Sequence, residues 1–212
     1  MIHFYSQIIS LENLFKAFDE FKKGKRGKSE VAEYEIESED NILKLHYQLL
    51  DGQYKHSPYV QFKISDPKPR IIHKACAQDR VLHQAVFRVI NPIFKKSFIF
   101  DSYSSRLKKG THKSVWRLEK FTKKVSSNYK NPVYAVKIDI KKFFDTIDHR
   151  TLFKLLKRKI KCQKTLNLLK MIIESYETKP AKGIPLGNVT SQMFGNIYLD
   201  PLDKFVKEKL RF

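Results

Sequence analysis

Apolar residues recur at helical spacing after Ser10, at Leu11, Leu14, Phe15, Phe18 and Phe21, until the basic stretch KKGKRGK ends the pattern. Ser10 stands where a helix cap is expected, and the lysine-rich stretch reads as a turn. A second helix is predicted over Ser38 to Leu50, closed by the turn pair Asp51-Gly52. YVQFKI, from Tyr59 to Ile64, alternates instead with period two, and DPKPRII then crosses a proline-punctuated turn into another short strand. From Gln78 to Phe94 a stripe of Val81, Leu82, Ala85, Val86, Val89 and Ile90 predicts a helix that breaks near Asn91-Pro92. Further helices are predicted for Lys113 to Val125, from an Asp148 cap through Leu152, Leu155, Leu156 and Ile160, and for Leu166 to Tyr176. The helix at Lys113 exposes Lys113, Lys120, Lys123 and Lys124, which suits a solvated face or a nucleic-acid track. No repeat, low-complexity tract or linker divides the chain, so it reads as one interleaved unit.

The stretch VYAVKIDIKKFFDTIDH, Val133 to His149, opens as a strand and carries an acid at its end. Period two puts Tyr134, Val136, Ile138 and Ile140 on a face expected to be core, and Val133, Ala135, Lys137 and Asp139 on the other. A buried, unpaired carboxylate is costly, so Asp139 needs a cation or a cleft. Pairing with Lys137, or capping the next turn, would satisfy it. A divalent magnesium ion held by Asp139 and the carbonyl of Ile140 would do so as well, because that ion takes hard oxygen ligands. Phe144, five residues on, either packs in the core beside Phe143 or lies under a nucleotide sugar and excludes a 2′-hydroxyl.

Charge then narrows the field. The chain has 212 residues, 42% of them hydrophobic, with 42 Lys plus Arg against 22 Asp plus Glu, a formal charge of +20. A core can form, and a polyanion is the expected partner, nucleic acid first; a merely soluble charged surface is the alternative. Cys76 and Cys162 alone cannot build a disulfide framework or a zinc site, and His73, Cys76 and His83 lack ligand spacing. The N-terminus lacks the pattern of a signal peptide, and no apolar run approaches the ~20 residues that cross a bilayer. A cytoplasmic location and no membrane partner are therefore expected.

Four motifs in order resemble bacterial reverse transcriptases, over about Phe4 to Arg211: KPRIIHKACAQDRVLHQAV (Lys68 to Val86), IFDSYSSRLKKGTHKSV (Ile99 to Val115), VKIDIKKFFDTIDH, and KGIPLGNVTSQMFGNIYLDPLD (Lys182 to Asp203). The resemblance implies an α+β, right-hand polymerase with an antiparallel palm sheet backed by helices and without a thumb. Fingers would occupy 1–80 and 149–186, and palm 81–148 and 187–212. It further implies that Asp139 is the first catalytic, metal-binding aspartate, that Ile140 lends its carbonyl, and that Phe144 is the sugar gate. Lys68 and Arg70, on a hairpin pivoting around Pro67 and Pro69, would meet the triphosphate and base, with Arg80 in support. Gly183 and Gly187 would let backbone approach a ligand closely, and Asn188 would cap a helix from Val189.

GNVTSQ, Gly187 to Gln192, is similar to the Gly-x-x-x-Ser-Gln signature of reverse transcriptases from diversity-generating retroelements. Leu186 strengthens that likeness, because a glutamine is common there and leucine cannot hydrogen-bond the nucleotide; error-prone copying is implied. The implied reaction is RNA-templated DNA synthesis by two-metal transfer to a primer 3′-hydroxyl, with magnesium, an RNA template, a DNA or RNA primer and deoxynucleoside triphosphates. A basic accessory protein is implied too. The Tyr-x-Asp-Asp motif of the family does not occur, so the chain alone is expected to be inactive. A non-catalytic RNA-binding fragment and a phage-defence reverse transcriptase are the alternatives.

Overall fold

The computed structural model describes residues 4–65 and 68–210. Pro67, one of the two expected hinge prolines, lies outside the described residues, as does Arg211. The chain divides into two compact units, each built from two stretches: unit 1 from Met1–Ser97 and Phe144–Tyr198, unit 2 from Phe98–Phe143 and Leu199–Phe212.

Unit 1 holds the core. Helix α1 spans Phe4–Ile9, α2 Leu11–Lys22, α3 Ser29–Ile36 and α4 Ser38–Leu50. The Ser10 hydroxyl accepts from the Asn13 amide at 3.3 Å, which starts α2, and the 3.6-residue period then turns Leu14, Ala17, Phe18 and Phe21 inward. These pack on α5, Ala77–Lys95, whose inner face carries Val81, Leu82, Ala85, Val86 and Ile90. The hairpin between α4 and α5 pairs β1, Val60–Ile64, with β2, Arg70–Lys74, in an antiparallel register of Val60 with Lys74 and Ile64 with Arg70. Two helices close the unit: α8, His149–Lys159, burying Leu152, Leu155 and Leu156, and α9, Gln163–Glu174, burying Leu166, Leu169, Ile172 and Ile173.

In unit 2, α6 spans Thr111–Val125. A single turn, α7, covers Phe143–Thr146, all but its first residue in unit 1, and α10, Val189–Lys204, has Val189–Tyr198 in unit 1 and its remainder in unit 2, where it runs on into a short π-helical stretch, Phe205–Lys209. Every buried hydrophobic residue among those described belongs to unit 1.

Three expectations change. Helix α5 does not break at Pro92 but runs to Lys95: Pro92 faces solvent while Ile90 and Phe94 on either side are buried, and that burial holds the helix across its one missing N–H. The palm strand expected from Val133 does not form as a laddered strand, and β1 and β2 are the strands found among the described residues. Its predicted core face is open instead, with Tyr134, Val136 and Ile138 exposed by 93%, 84% and 82%. Alternation encodes a two-sided strand only where a neighbour supplies the ladder and a second layer covers one face. Helices α1 and α3 were not predicted; both are short, and α3 starts without a side-chain cap.

Candidate functional site

The hairpin β1–β2 and the turn before α10 lock together through their backbones. His73 N–H donates to the Leu186 carbonyl at 3.0 Å, and the Asn188 side-chain amide donates back to the His73 carbonyl at 3.1 Å. Asn188 thus stands at the start of α10 but does not cap it: the amide nitrogen is spent on the hairpin, and its Oδ1 is buried without a partner. Gly187 permits the approach. At φ +115° it sits where L side chains are strained, and a Cβ there would meet Ile72 Cγ2 at 2.8 Å. Gly183 likewise admits Thr178, whose Oγ1 would lie 2.7 Å from a Cβ. The close approaches expected at these glycines are therefore made by the protein's own Ile72 and Thr178.

Beside that junction unit 1 has a cavity of about 330 Å3 whose wall includes Lys25, Arg80, His83, Gly187, Asn188 and Gln192. Three residues singled out from sequence, Arg80, Gly187 and Gln192, meet here. The Arg80 guanidinium is fixed by Glu30 and lies 4.7 Å from the centre of the Phe21 ring, leaving its Nε buried and unpartnered. Burial pushes the Glu30 carboxyl up, but Lys74 and Arg80 outweigh it and hold the group below its usual range. Lys25 donates to the Phe21 carbonyl at 2.7 Å; burial, then the Arg80 charge, lowers its pKa. His83 is buried, faces His56 with Nε2 atoms 3.1 Å apart, and keeps Nδ1 unpartnered. Burial, with the His56 and Arg80 charges, brings it down to about 3, so its ring is neutral.

The cavity therefore combines two cations, the N-terminal end of a 16-residue helix and buried hydrogen-bonding atoms without partners. That suits an anion carrying a polar ring or amide edge. Sequence reasoning gave His83 and Asn188 other tasks, read Phe21 only as part of a helix's apolar stripe, and did not single out Lys25. Gly187 pointed toward Asn188 by adjacency; Lys25 sits in an undifferentiated basic run and gave no signal.

The other expected residues lie outside this cavity. Lys68 and Arg70 are exposed on the hairpin, Arg70 opposite Ile64. Leu186 is half-buried, its carbonyl taken by His73. Phe144 is half-buried, with its carbonyl accepting from Ile184 N–H at 3.0 Å. Asp139 and Ile140 belong to unit 2 and are exposed; Asp139 makes no ion pair with Lys137 or any other cation among the described residues. Asp139 and the Ile140 carbonyl are hard oxygen donors of the kind magnesium takes, but they fill only part of an octahedral shell. No group of three His, Cys, Asp or Glu able to hold a metal occurs among the described residues. The His73, Cys76 and His83 combination is not gathered as ligands: His83 stacks on His56 at 5.1 Å, and His73 meets Tyr176 edge-on at 4.6 Å.

The sequence profile of the family described as "Reverse transcriptase (RNA-dependent DNA polymerase)" matches residues 62–211. The "Group II intron-encoded protein LtrA" of Lactococcus lactis subsp. cremoris is 30% identical over 185 residues, covering 82% of this chain and 30% of the relative. "Protein YkfC" of Escherichia coli strain K12 is 24% identical over 176 residues, covering 80% of this chain and 44% of its own. The "Putative COX1/OXI3 intron 1 protein" of Saccharomyces cerevisiae is 25% identical, over 79% of this chain and 20% of that protein. The chain thus spans less than half the length of these relatives. Among solved structures, the "Partial Cas6-RT-Cas1--Cas2 complex" matches with a TM-score of 0.56 at 19% identity, over 96% of this chain and 35% of that one, a likeness of fold. With the profile running through both units and most of the chain, this protein belongs to the reverse transcriptase family.

Proposed function

We propose that this chain is the fingers and part of the palm of an RNA-directed DNA polymerase, with fingers at 1–80 and 149–186 and palm at 81–148 and 187–212. The observation that carries the reading is the cavity in which Arg80, Gly187 and Gln192 meet beside the hairpin bearing Lys68 and Arg70. Arg supplies a planar fork for phosphate oxygens and Lys a mobile charge, so an incoming deoxynucleoside triphosphate would be held by Lys68, Arg70 and Arg80. Phe144 would exclude a 2′-hydroxyl. Asp139 with the Ile140 carbonyl would hold magnesium, which, when bound, lowers the barrier to attack by the primer 3′-hydroxyl. The template is RNA and the primer DNA or RNA. Further carboxylates, from outside the described residues or from a longer protein, are needed to bridge two ions.

The test is primer extension on an RNA template with magnesium, run on this chain and on the longest open reading frame that contains it. Asp139→Ala is expected to lower extension by about a hundredfold or more. Equal extension by the wild-type protein and Asp139→Ala defeats the assignment. No extension by this chain or by the longer reading frame, with RNA binding retained, favours the second reading, a binding module without chemistry; the observation behind that reading is that no group of three His, Cys, Asp or Glu able to hold a metal occurs among the described residues.

For the kind of element, the Gly187-x-x-x-Ser191-Gln192 signature and Leu186 support a diversity-generating retroelement, with a basic accessory protein as a partner, whereas the Lactococcus and Saccharomyces relatives carry intron names. Leu186→Gln is expected to raise base discrimination in the extension assay, because it restores a hydrogen-bonding side chain. An unchanged misincorporation spectrum counts against the retroelement reading and leaves the polymerase intact.

A further inference from the structure

Within unit 1, the C-terminal end of α4 and the outer side of α9 enclose a groove of about 360 Å3, remote in sequence from every motif residue discussed above. Its wall includes Tyr5, Leu49, Leu50, Tyr54, Leu168 and Met171, and Leu50 and Met171 are open to solvent by 54% and 37%. Tyr5 adds no free donor, because its hydroxyl donates to the Leu49 carbonyl at 2.5 Å. Lys164 stands in the same wall, and Tyr54 and Met171 are shared with a further concavity bordered by Lys55 and Lys170. Glu174 meets Lys170 at 3.7 Å, whereas Lys55, Lys164 and Lys44 on α4 make no ion pair among the described residues. Asp51 is an unpaired acid in this wall, so the excess of charge around the groove is positive but small.

The other end of α4 has the complementary make-up. Residues 29–40, SEVAEYEIESED, carry six of the 22 acids of the chain and no basic residue. Glu30 is paired with Lys74 and Arg80, and Glu35 with Lys22 and Arg26. Glu33, Glu37, Glu39 and Asp40 are exposed and make no ion pair among the described residues. Amid them Ile36, the last residue of α3, is exposed by 83%. Between the two ends Asp40, Leu43, Tyr47 and Leu50 follow at i, i+3, i+7 and i+10, one outward stripe of α4, and Asp40 does not pair with Lys44 four residues on.

We propose that two copies of this chain associate antiparallel along α4, Ile36 of each entering the groove at Leu50 of the other while the acids around it meet Lys44, Lys55 and Lys164. Leu43 lies midway between Ile36 and Leu50, so a two-fold axis beside it makes both contacts at once and closes the pair. An apolar residue ringed by acids and an apolar groove with unpaired lysines are the two halves of one contact, and both stand on the same helix. A nucleic acid is repelled by the acidic end, and a bilayer gains nothing from it. Helix α4 has 13 residues and is about 20 Å long, which puts the pair at the small end of stable interfaces, with a dissociation constant on the order of 10 μM. The pairing rests on unit 1 alone and not on the polymerase reading.

Sedimentation of the nuclease-treated 212-residue chain, in salt that cuts the reach of its charge to about 8 Å, is expected to show monomer giving way to dimer as concentration rises. Ile36→Ser is expected to raise the dissociation constant by about tenfold or more, the value of one buried aliphatic side chain. Glu37→Lys with Asp40→Lys, and separately Lys44→Glu with Lys164→Glu, are each expected to raise it by about a hundredfold, because both contacts then set like charges together. Mixed in equal amounts, the two charge variants are expected to form a one-to-one pair. The reversed acids of one then meet the reversed lysines of the other, and the second contact is native. All five positions are exposed, and a folding defect is not rescued by mixing.

A wild-type chain that stays monomeric at about 100 μM, ten times the expected constant, overturns the proposal. So does a dimer that Ile36→Ser leaves intact, a mixture of the charge variants that remains monomeric, or association that requires RNA.

Discussion

Asp79 is fully buried on α5 and accepts from the Tyr54 hydroxyl at 2.6 Å and the Ser57 amide at 3.0 Å, while His56 Nδ1 lies 3.5 Å from it. Burial and then the Asp79 charge push the Tyr54 phenol far above its usual pKa, so it remains a donor. This network fixes the chain entering the hairpin, and His83 is its weak point toward acid. His83 is held near 3 against an ordinary 6.5, so between those values the unfolded chain binds the proton and the folded one does not. Its contribution to stability is therefore complete above about pH 6.5 and is lost as pH falls through that window. Urea midpoints should drop from pH 6.5 to 4.5, with a slope approaching about 1.4 kcal/mol per pH unit for one proton. His83→Gln should flatten that slope; an unchanged slope assigns the acid sensitivity elsewhere. Asp79 was visible in sequence only as a letter within a motif, because what it does depends on partners more than 20 residues away.

Helix α8 shows how far an element can be read from its own residues. Asp148 accepts from Thr151 N–H at 2.7 Å, and that bond, with Lys182 and Arg150 nearby, holds its carboxyl below the usual range. Basic Lys157, Arg158 and Lys159 in the last turn suit the negative end of the helix dipole. Asp148→Ala is expected to cost about 0.5–2 kcal/mol, read as a lower thermal midpoint, and Asp148→Asn much less because it keeps a capping oxygen. The start of α10 failed the same reading. Asn188 has the right identity and position for a cap, but its amide binds the His73 carbonyl on β2, 115 residues away, and no local pattern announces that.

For the whole molecule, the division of burial between the units decides where stability resides. Unit 1 gathers the buried apolar side chains, whereas in unit 2 Trp116, Leu118, Val125, Tyr134, Val136 and Ile138 are all open to solvent. Few buried contacts mean low local opening free energies. Amides from 111 to 140 are therefore expected to exchange hydrogen far faster than those of α2, α5 and α9, and a protease should nick between Ser126 and Lys142 while the near-ultraviolet signal of unit 1 persists. Protection in 132–140 equal to that of α5 would show that the segment is laddered in solution. Among the described residues no helix is long and apolar enough to cross a membrane.

What the sequence determined by itself was everything carried by contacts a few residues long. That covers the periods of α2, α4, α5, α8 and α9, the caps at Ser10 and Asp148, the hairpin, the excess of positive charge, and the ordered motifs of a reverse transcriptase. Tertiary structure alone decided that α5 continues through Pro92, that Asn188 serves the hairpin rather than its own helix, and that Ile72 is what Gly187 makes room for. It also decided that the alternation from Val133 to Ile140 lies open rather than buried. The reason is common to all four: a residue's period and identity are local, but burial and hydrogen-bond partnership belong to whichever distant segment is brought against it, and period two cannot say whether a neighbouring strand is there.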